Sequence, residues 1–178
     1  MSIITNKIDL EDYLANLSRA KDKDSYSMSI RELINMYDDE LINLSPVYQR
    51  NFRWDNLKAS KLIESIFLSI PLPPLFVSVR NGKWDIVDGV QRISSILWFC
   101  GKLKEDNVFR EELKLYGLER LEKLNDTTYS SLKKNYTKEL FKYFDMKRLD
   151  ITLLTSNDIE SEYDLFSRLN TGGITLSP

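Results

Sequence analysis

Three clusters in this sequence combine arginine with side-chain amides, two of them with glycine as well, residue types that can hold phosphate oxygens without help from histidine or cysteine. The first is Asp88-Gly89-Val90-Gln91-Arg92. A helix starting at such a turn presents unpaired N–H groups and partial positive charge. Glycine admits a ligand close to the backbone, and arginine grips two oxygens at once. The same letters describe an ordinary helix start, because Asp88 with Gln91 three residues on is a capping arrangement. The second cluster is Tyr48-Gln49-Arg50-Asn51-Phe52-Arg53-Trp54. Arginines among aromatics either clamp a nucleotide, guanidinium on phosphate and ring under base, or belong to a packed aromatic loop with its charges at the surface. The third runs Arg168-Leu169-Asn170-Thr171-Gly172-Gly173. It either ends a helix through a left-handed glycine or brings Arg168 and Asn170 over a ligand.

These clusters need elements to position them. Ser29-Ile30-Arg31-Glu32 has the capping-box pattern, and Ile30, Leu33, Ile34 and Tyr37 follow at helical spacing, so a helix is expected over about 29–38. A short strand is expected near 41–44. Asp55 reads as the N-cap of a helix carrying Leu57, Leu62, Ile63, Ile66 and Phe67, which Pro71, Pro73 and Pro74 end. LFVSVR, Asn81-Gly82 and KWDIV form a β-hairpin pattern, since Asn-Gly supplies the positive φ angles of a type I′ turn. The second strand feeds a helix, with Ile93, Ile96 and Leu97 on one face, through the Gly89 turn. From about 102 to 147 the pattern is polar and helical, and 105–147 reads as a helical insertion within one domain spanning 1–178. A strand at Leu149–Leu154 and a helix near Ile159–Leu169 follow. Lys133, Lys134, Lys138, Lys142, Lys147 and Arg148 recur at helical spacing and read as a solvated face without a function.

Composition narrows the chemistry. At 178 residues and 42% hydrophobic, the chain is long and apolar enough for one buried core. There is no histidine and one cysteine, Cys100, so Cys/His zinc centres, Ser-His-Asp or Cys-His nucleophile systems and histidine-based nucleases are excluded. Carboxylate, arginine, lysine, amide and backbone chemistry remain, the inventory for binding phosphate and Mg²⁺. A net charge of −2 gives no overall attraction to DNA or anionic lipid, so any contact with DNA is expected to be indirect or weak. The N-terminus has no export signal and no apolar run approaches the ~18 residues of a membrane span, so a cytoplasmic protein without membrane contact is expected.

The clusters match, in order and spacing, the N-terminal domain of GmrSD-type restriction endonucleases, formerly a domain of unknown function and related in fold to ParB and sulfiredoxin proteins. The resemblance rests on SPVYQRNFRW, LIESIFLSIPLPPLFV, WDIVDGVQRISSILWF, LYGLERLEKLNDTTYSSL and DLFSRLNTGGITLS and covers roughly residues 27–178. It implies an α+β fold, a small mixed sheet with flanking helices, with a nucleotide at a strand-turn-helix junction. The family's Asp-Gly-Gln-Gln-Arg motif falls on Asp88, Gly89, Val90, Gln91 and Arg92. The resemblance implies Asp88, Gln91 and Arg92 as catalytic, Asp88 also as the Mg²⁺ contact. It implies Tyr48, Gln49, Arg50, Gly89, Arg168, Asn170, Gly172 and Gly173 as nucleotide-binding.

Two departures qualify this. Val90 stands where the family has glutamine, although on a helical wheel it falls with Ile93 and Leu97 and is placed to pack inward. The chain stops at Ser177-Pro178, before the family's Gln-Glu-x-Arg segment, so the downstream nuclease domain is expected to be missing, from an excised domain or a short gene product. The expected function is therefore a regulatory domain of a prokaryotic restriction or anti-phage defence protein. It would bind and hydrolyse a nucleoside triphosphate with Mg²⁺, partner a nuclease domain or subunit, and cleave no DNA itself. Two alternatives stand beside it, a non-catalytic module sensing nucleotide or DNA, and a ParB-like DNA-binding domain. The acidic charge and lack of a basic reading helix argue against the last.

Overall fold

The computed structural model describes residues 23–44, 54–105, 108–135 and 138–154. Their order is β1 (Lys23–Ser29), α1 (Ile30–Asp38), β2 (Ile42–Asn43), α2 (Asn56–Phe67), β3 (Leu75–Arg80), β4 (Lys83–Asp88), α3 (Val90–Phe99), β5 (Lys104–Glu105), β6 (Val108–Phe109), a 3₁₀ turn (Glu122–Leu124), α4 (Tyr129–Asn135), α5 (Lys138–Asp145) and β7 (Arg148–Leu154). The main sheet has five strands in the order β1-β7-β3-β4-β2. β1 is antiparallel to β7, β3 is parallel to β7 and antiparallel to β4, and β2 is parallel to β4. This is an α+β fold with a small mixed sheet, as the sequence patterns imply.

Local chemistry sets the element boundaries. Ser29 and Glu32 close the capping box of α1, the Glu32 carboxylate accepting from the Ser29 amide at 2.7 Å. Asp55 caps α2 by accepting from the Lys58 amide at 2.8 Å. Asn81 (φ 51°) and Gly82 (φ 75°) turn the β3–β4 hairpin through the left-handed region the Asn-Gly pair suits.

α2 and α3 pack on each other, and their buried faces supply Ala59, Ile63, Ile66, Ile93, Ile96 and Phe99 to the core. A buried aromatic cluster ties later elements to this pair: Phe144 on α5 lies 5.0 Å from Phe67 and 5.4 Å from Phe99, and Tyr129 on α4 lies 5.5 Å from Phe99, between ring centroids.

Two elements differ from expectation. Strand β1 is not among the expected elements: KDSYSMS is mostly polar and alternates only briefly, through Tyr26 and Met28 between serines; it is an edge strand held by its register with β7, Met28 opposite Leu149. The stretch 105–147 is not uniformly helical. It opens with the β5–β6 hairpin and runs without helix from 110 to the 3₁₀ turn; only α4 and α5 are α-helical. Side chains elsewhere take the place of helical hydrogen bonds: Ser60 Oγ accepts from the Tyr116 amide at 3.0 Å, and Glu64 Oε1 accepts from Arg120 and Leu121 at 2.8 and 3.0 Å. Leu113, Leu115 and Leu118 are thereby buried, so the insertion forms part of the core.

Candidate functional site

Strand β4 ends at Asp88, and α3 starts one residue later. Gly89 occupies the N-cap position at φ 106°, and no side chain caps the helix there. A non-glycine residue rarely adopts that φ, and a Cβ at Gly89 would overlap the Leu75 side chain and lie 3.3 Å from Arg92 Nη2. The turn and the packing therefore require glycine whether or not a ligand approaches.

Asp88 turns away from the capping role that its spacing from Gln91 suggests. Its Oδ2 accepts from Arg92 Nη2 at 2.7 Å, an i,i+4 ion pair with side chains 30% and 13% exposed. Arg92 also donates through Nη2 to the Pro74 carbonyl at 3.2 Å and through Nη1 to the Pro73 carbonyl. A guanidinium has five N–H donors, and these bonds use three of them. Burial lowers the Arg92 pKa and the Asp88 charge and hydrogen bond oppose that shift; a guanidinium starts so high that it stays charged. The effect is a cation fixed in direction, clamping the proline loop between α2 and β3 to the first turn of α3.

Gln91 points elsewhere. Its Oε1 accepts from the Trp54 amide at 3.1 Å, joining α3 to the residue that follows the Tyr48–Arg53 stretch. Val90 is 5% exposed and part of the core, as the helical wheel implies. Tyr48, Gln49, Arg50, Arg168, Asn170, Gly172 and Gly173 lie outside the described residues, as does the helix expected near 159–169.

Arg92 lines a cleft of about 230 Å³ together with Ser69, Pro71, Lys147, Arg148 and Asp150. The walls include Arg92 but not Asp88, Gly89 or Gln91. Lys147 and Arg148, expected on a solvated face with Lys133, Lys134, Lys138 and Lys142, both line the cleft where β7 begins. Arg148 is exposed, as are those four lysines, while Lys147 is half-buried. A signal was present: Lys147 and Arg148 directly precede the apolar run of a strand, where a helical face no longer applies.

Among the described residues no group of three or more Asp, Glu, His or Cys is arranged to hold a metal ion. Asp88 has one oxygen engaged by Arg92, and its other oxygen accepts no hydrogen bond among the described residues. One such carboxylate suits a Mg²⁺ that keeps most of its shell as water and ligand phosphate, rather than a caged resident ion. Cys100 is free and buried, and burial pushes its thiol up, away from the nucleophilic thiolate. No helix among the described residues is long and apolar enough to cross a membrane.

A family model described as "GmrSD restriction endonuclease, N-terminal domain" matches residues 30–178. No curated protein and no solved structure matches the chain.

Proposed function

The chain belongs to the GmrSD restriction endonuclease N-terminal domain family, and from that premise we propose that it is the regulatory, nucleoside-triphosphate-binding and hydrolysing domain of a restriction or defence protein. The observation that carries this reading is Arg92, a guanidinium locked by Asp88 and two prolyl carbonyls at the wall of a cleft, with part of its donor set uncommitted. A pre-oriented charge of this kind binds a phosphate oxygen without spending side-chain entropy at the moment of binding. Asp88 would meet a Mg²⁺ that arrives with the nucleotide, and the ion would neutralise charge on the phosphates. Gln91, tied to Trp54, would set the position of the segment carrying Tyr48, Gln49 and Arg50. Arg168, Asn170, Gly172 and Gly173 would complete the pocket, and a nuclease domain or subunit would read out its state.

A second reading is binding without turnover: Val90 carries no amide to orient water where the resemblance implies glutamine, although its burial gives position 90 a packing role that is independent of turnover. Titrating the purified chain with ribonucleoside triphosphates, with and without Mg²⁺, and following phosphate release tests both. Saturable binding with release supports the first, binding without release supports the second, and no binding rejects both.

A further inference from the structure

The cleft beside Arg92 has a second cationic wall built from residues outside every motif of the family resemblance. Lys147 and Arg148, at the entry to β7, line it with Arg92; Asp150 is its one carboxylate. In a chain of net charge −2, three cations on one small cleft are a local concentration. Among the described residues neither Lys147 nor Arg148 has a carboxylate at salt-bridge distance. Several other described cations do: Arg31 pairs with Asp145, Lys61 with Glu64 and Glu119, Lys102 with Asp38, and Arg110 with Glu105.

Neutral groups hold both cations instead. Lys147 Nζ donates to Ser69 Oγ and sits 3.6 Å from the centroid of the Tyr143 ring. Ser69 itself, at φ 57°, lies just past α2, its Oγ 3.1 Å from the Tyr143 hydroxyl. Arg148 donates through Nη2 to the Ser27 carbonyl and through Nε to Ser27 Oγ at 3.2 Å, on β1. Glu32, whose pKa the Arg148 charge helps to lower, is engaged by Ser29 in the capping box. The rest of the cleft is mainly apolar, with Ile66, Leu72, Leu75, Ile96 and Leu149 in its wall.

We propose that this cleft is a polyphosphate subsite, in which Lys147 and Arg148 bind the phosphate chain together with the Arg92 clamp. Its volume, about 230 Å³, falls below the ~300–1,000 Å³ of pockets that enclose a whole ligand, which fits a phosphate chain whose nucleoside lies outside. The cleft also has no room for a duplex, so a free polyphosphate rather than a DNA backbone is the ligand class. The inference rests on the functional reading for the nucleoside attached to that chain, but not for the site.

The test is calorimetric titration of the full chain with inorganic tripolyphosphate and, separately, with a nucleoside triphosphate and a short DNA duplex. The proteins are wild type, Lys147→Met with Arg148→Gln, and Lys147→Glu, each checked for a wild-type thermal transition. The double variant should bind tripolyphosphate at least tenfold more weakly, Lys147→Glu should fall as far, and duplex should not displace tripolyphosphate from wild type. Wild type failing to bind tripolyphosphate, or folded variants binding it unchanged, overturns the proposal, as does displacement by duplex. If tripolyphosphate binding depends on Lys147 and Arg148 while no nucleoside triphosphate binds, the subsite stands and the functional reading falls. If nucleotide binding depends on Arg92 and is indifferent to both residues, the reverse holds.

Discussion

The Trp54 amide donates to Gln91 Oε1 at 3.1 Å across a separation of 37 residues. This bond joins the end of the aromatic-arginine stretch to the first turn of α3, and it gives Gln91 a structural duty separable from any contact with phosphate. Gln91→Ala removes the acceptor and should cost about 1 kcal/mol of stability, the usual net worth of such a bond. Gln91→Glu keeps an acceptor for Trp54 but adds negative charge near the phosphates. Denaturant titration should therefore leave Gln91→Glu closer to wild type than Gln91→Ala, while triphosphate affinity falls further in Gln91→Glu. Equal affinity in wild type and Gln91→Glu would place the side chain away from the ligand.

Arg92 carries two duties as well. Arg92→Ala should weaken triphosphate binding by about 1.5–3 kcal/mol, the range for hydrogen bonds to a charged group. It should also lower stability by about 1–3 kcal/mol, because Asp88 and the Pro73 and Pro74 carbonyls lose their donor. Affinity must then be read well below the variant's own melting temperature. Arg92→Lys keeps the charge without the forked geometry and should fall between wild type and Arg92→Ala in both measurements.

The burial of Val90 fixes the expected result of restoring the family residue. Val90→Gln puts an amide among core side chains and should destabilise by about 1–3 kcal/mol, the mutational cost of a buried polar group without a partner. Phosphate release should not rise. A faster release at unchanged stability would show that position 90 faces the ligand after all.

Gly89→Ala combines a φ of 106° with overlap on Leu75. A loss of about 2 kcal/mol or more is expected, seen as a lowered denaturation midpoint with or without nucleotide present. Destabilisation seen only with nucleotide bound would mean that the glycine serves ligand approach alone.

Acid sensitivity should draw on Glu64, beside Glu32, whose carboxyl the Ser29 hydrogen bonds also hold low. Burial alone would raise the Glu64 carboxyl, but the Leu121 and Arg120 amides and Lys61 outweigh that and hold it below the usual value of 4.5. With a folded pKa below the unfolded one, its contribution is present above the unfolded pKa and is lost as pH falls through the folded pKa. Stability should therefore drop below about pH 4.5, and Glu64→Gln, which still accepts from both amides, should flatten that limb of the stability-pH curve.

What was legible in the sequence was local. The Ser29–Glu32 box, the Asp55 cap, the Asn81-Gly82 turn and the inward face of Val90 each follow from residue types within a few positions of one another. The polar strand β1 was not, because its reason for being a strand is β7, more than a hundred residues away. Nor was the non-helical course of 110–121, where the Tyr116, Arg120 and Leu121 amides are satisfied by Ser60 and Glu64 on α2. The Asp88–Gly89–Val90–Gln91–Arg92 turn was found by its letters, but the partners of its side chains were not. Asp88 turns to Arg92, and the cleft beyond Arg92 draws on Lys147 and Arg148, which come close only because β7 lies beside β3.

The central claim is that Arg92 is a phosphate ligand of a nucleotide-binding domain, and one titration tests it most directly: Mg²⁺–nucleoside triphosphate into wild type and into Arg92→Ala, both folded at the temperature used. Wild type should bind saturably and the variant at least tenfold more weakly, in line with about 1.5–3 kcal/mol. No binding of any triphosphate by wild type, or equal affinity in the two proteins, would contradict it.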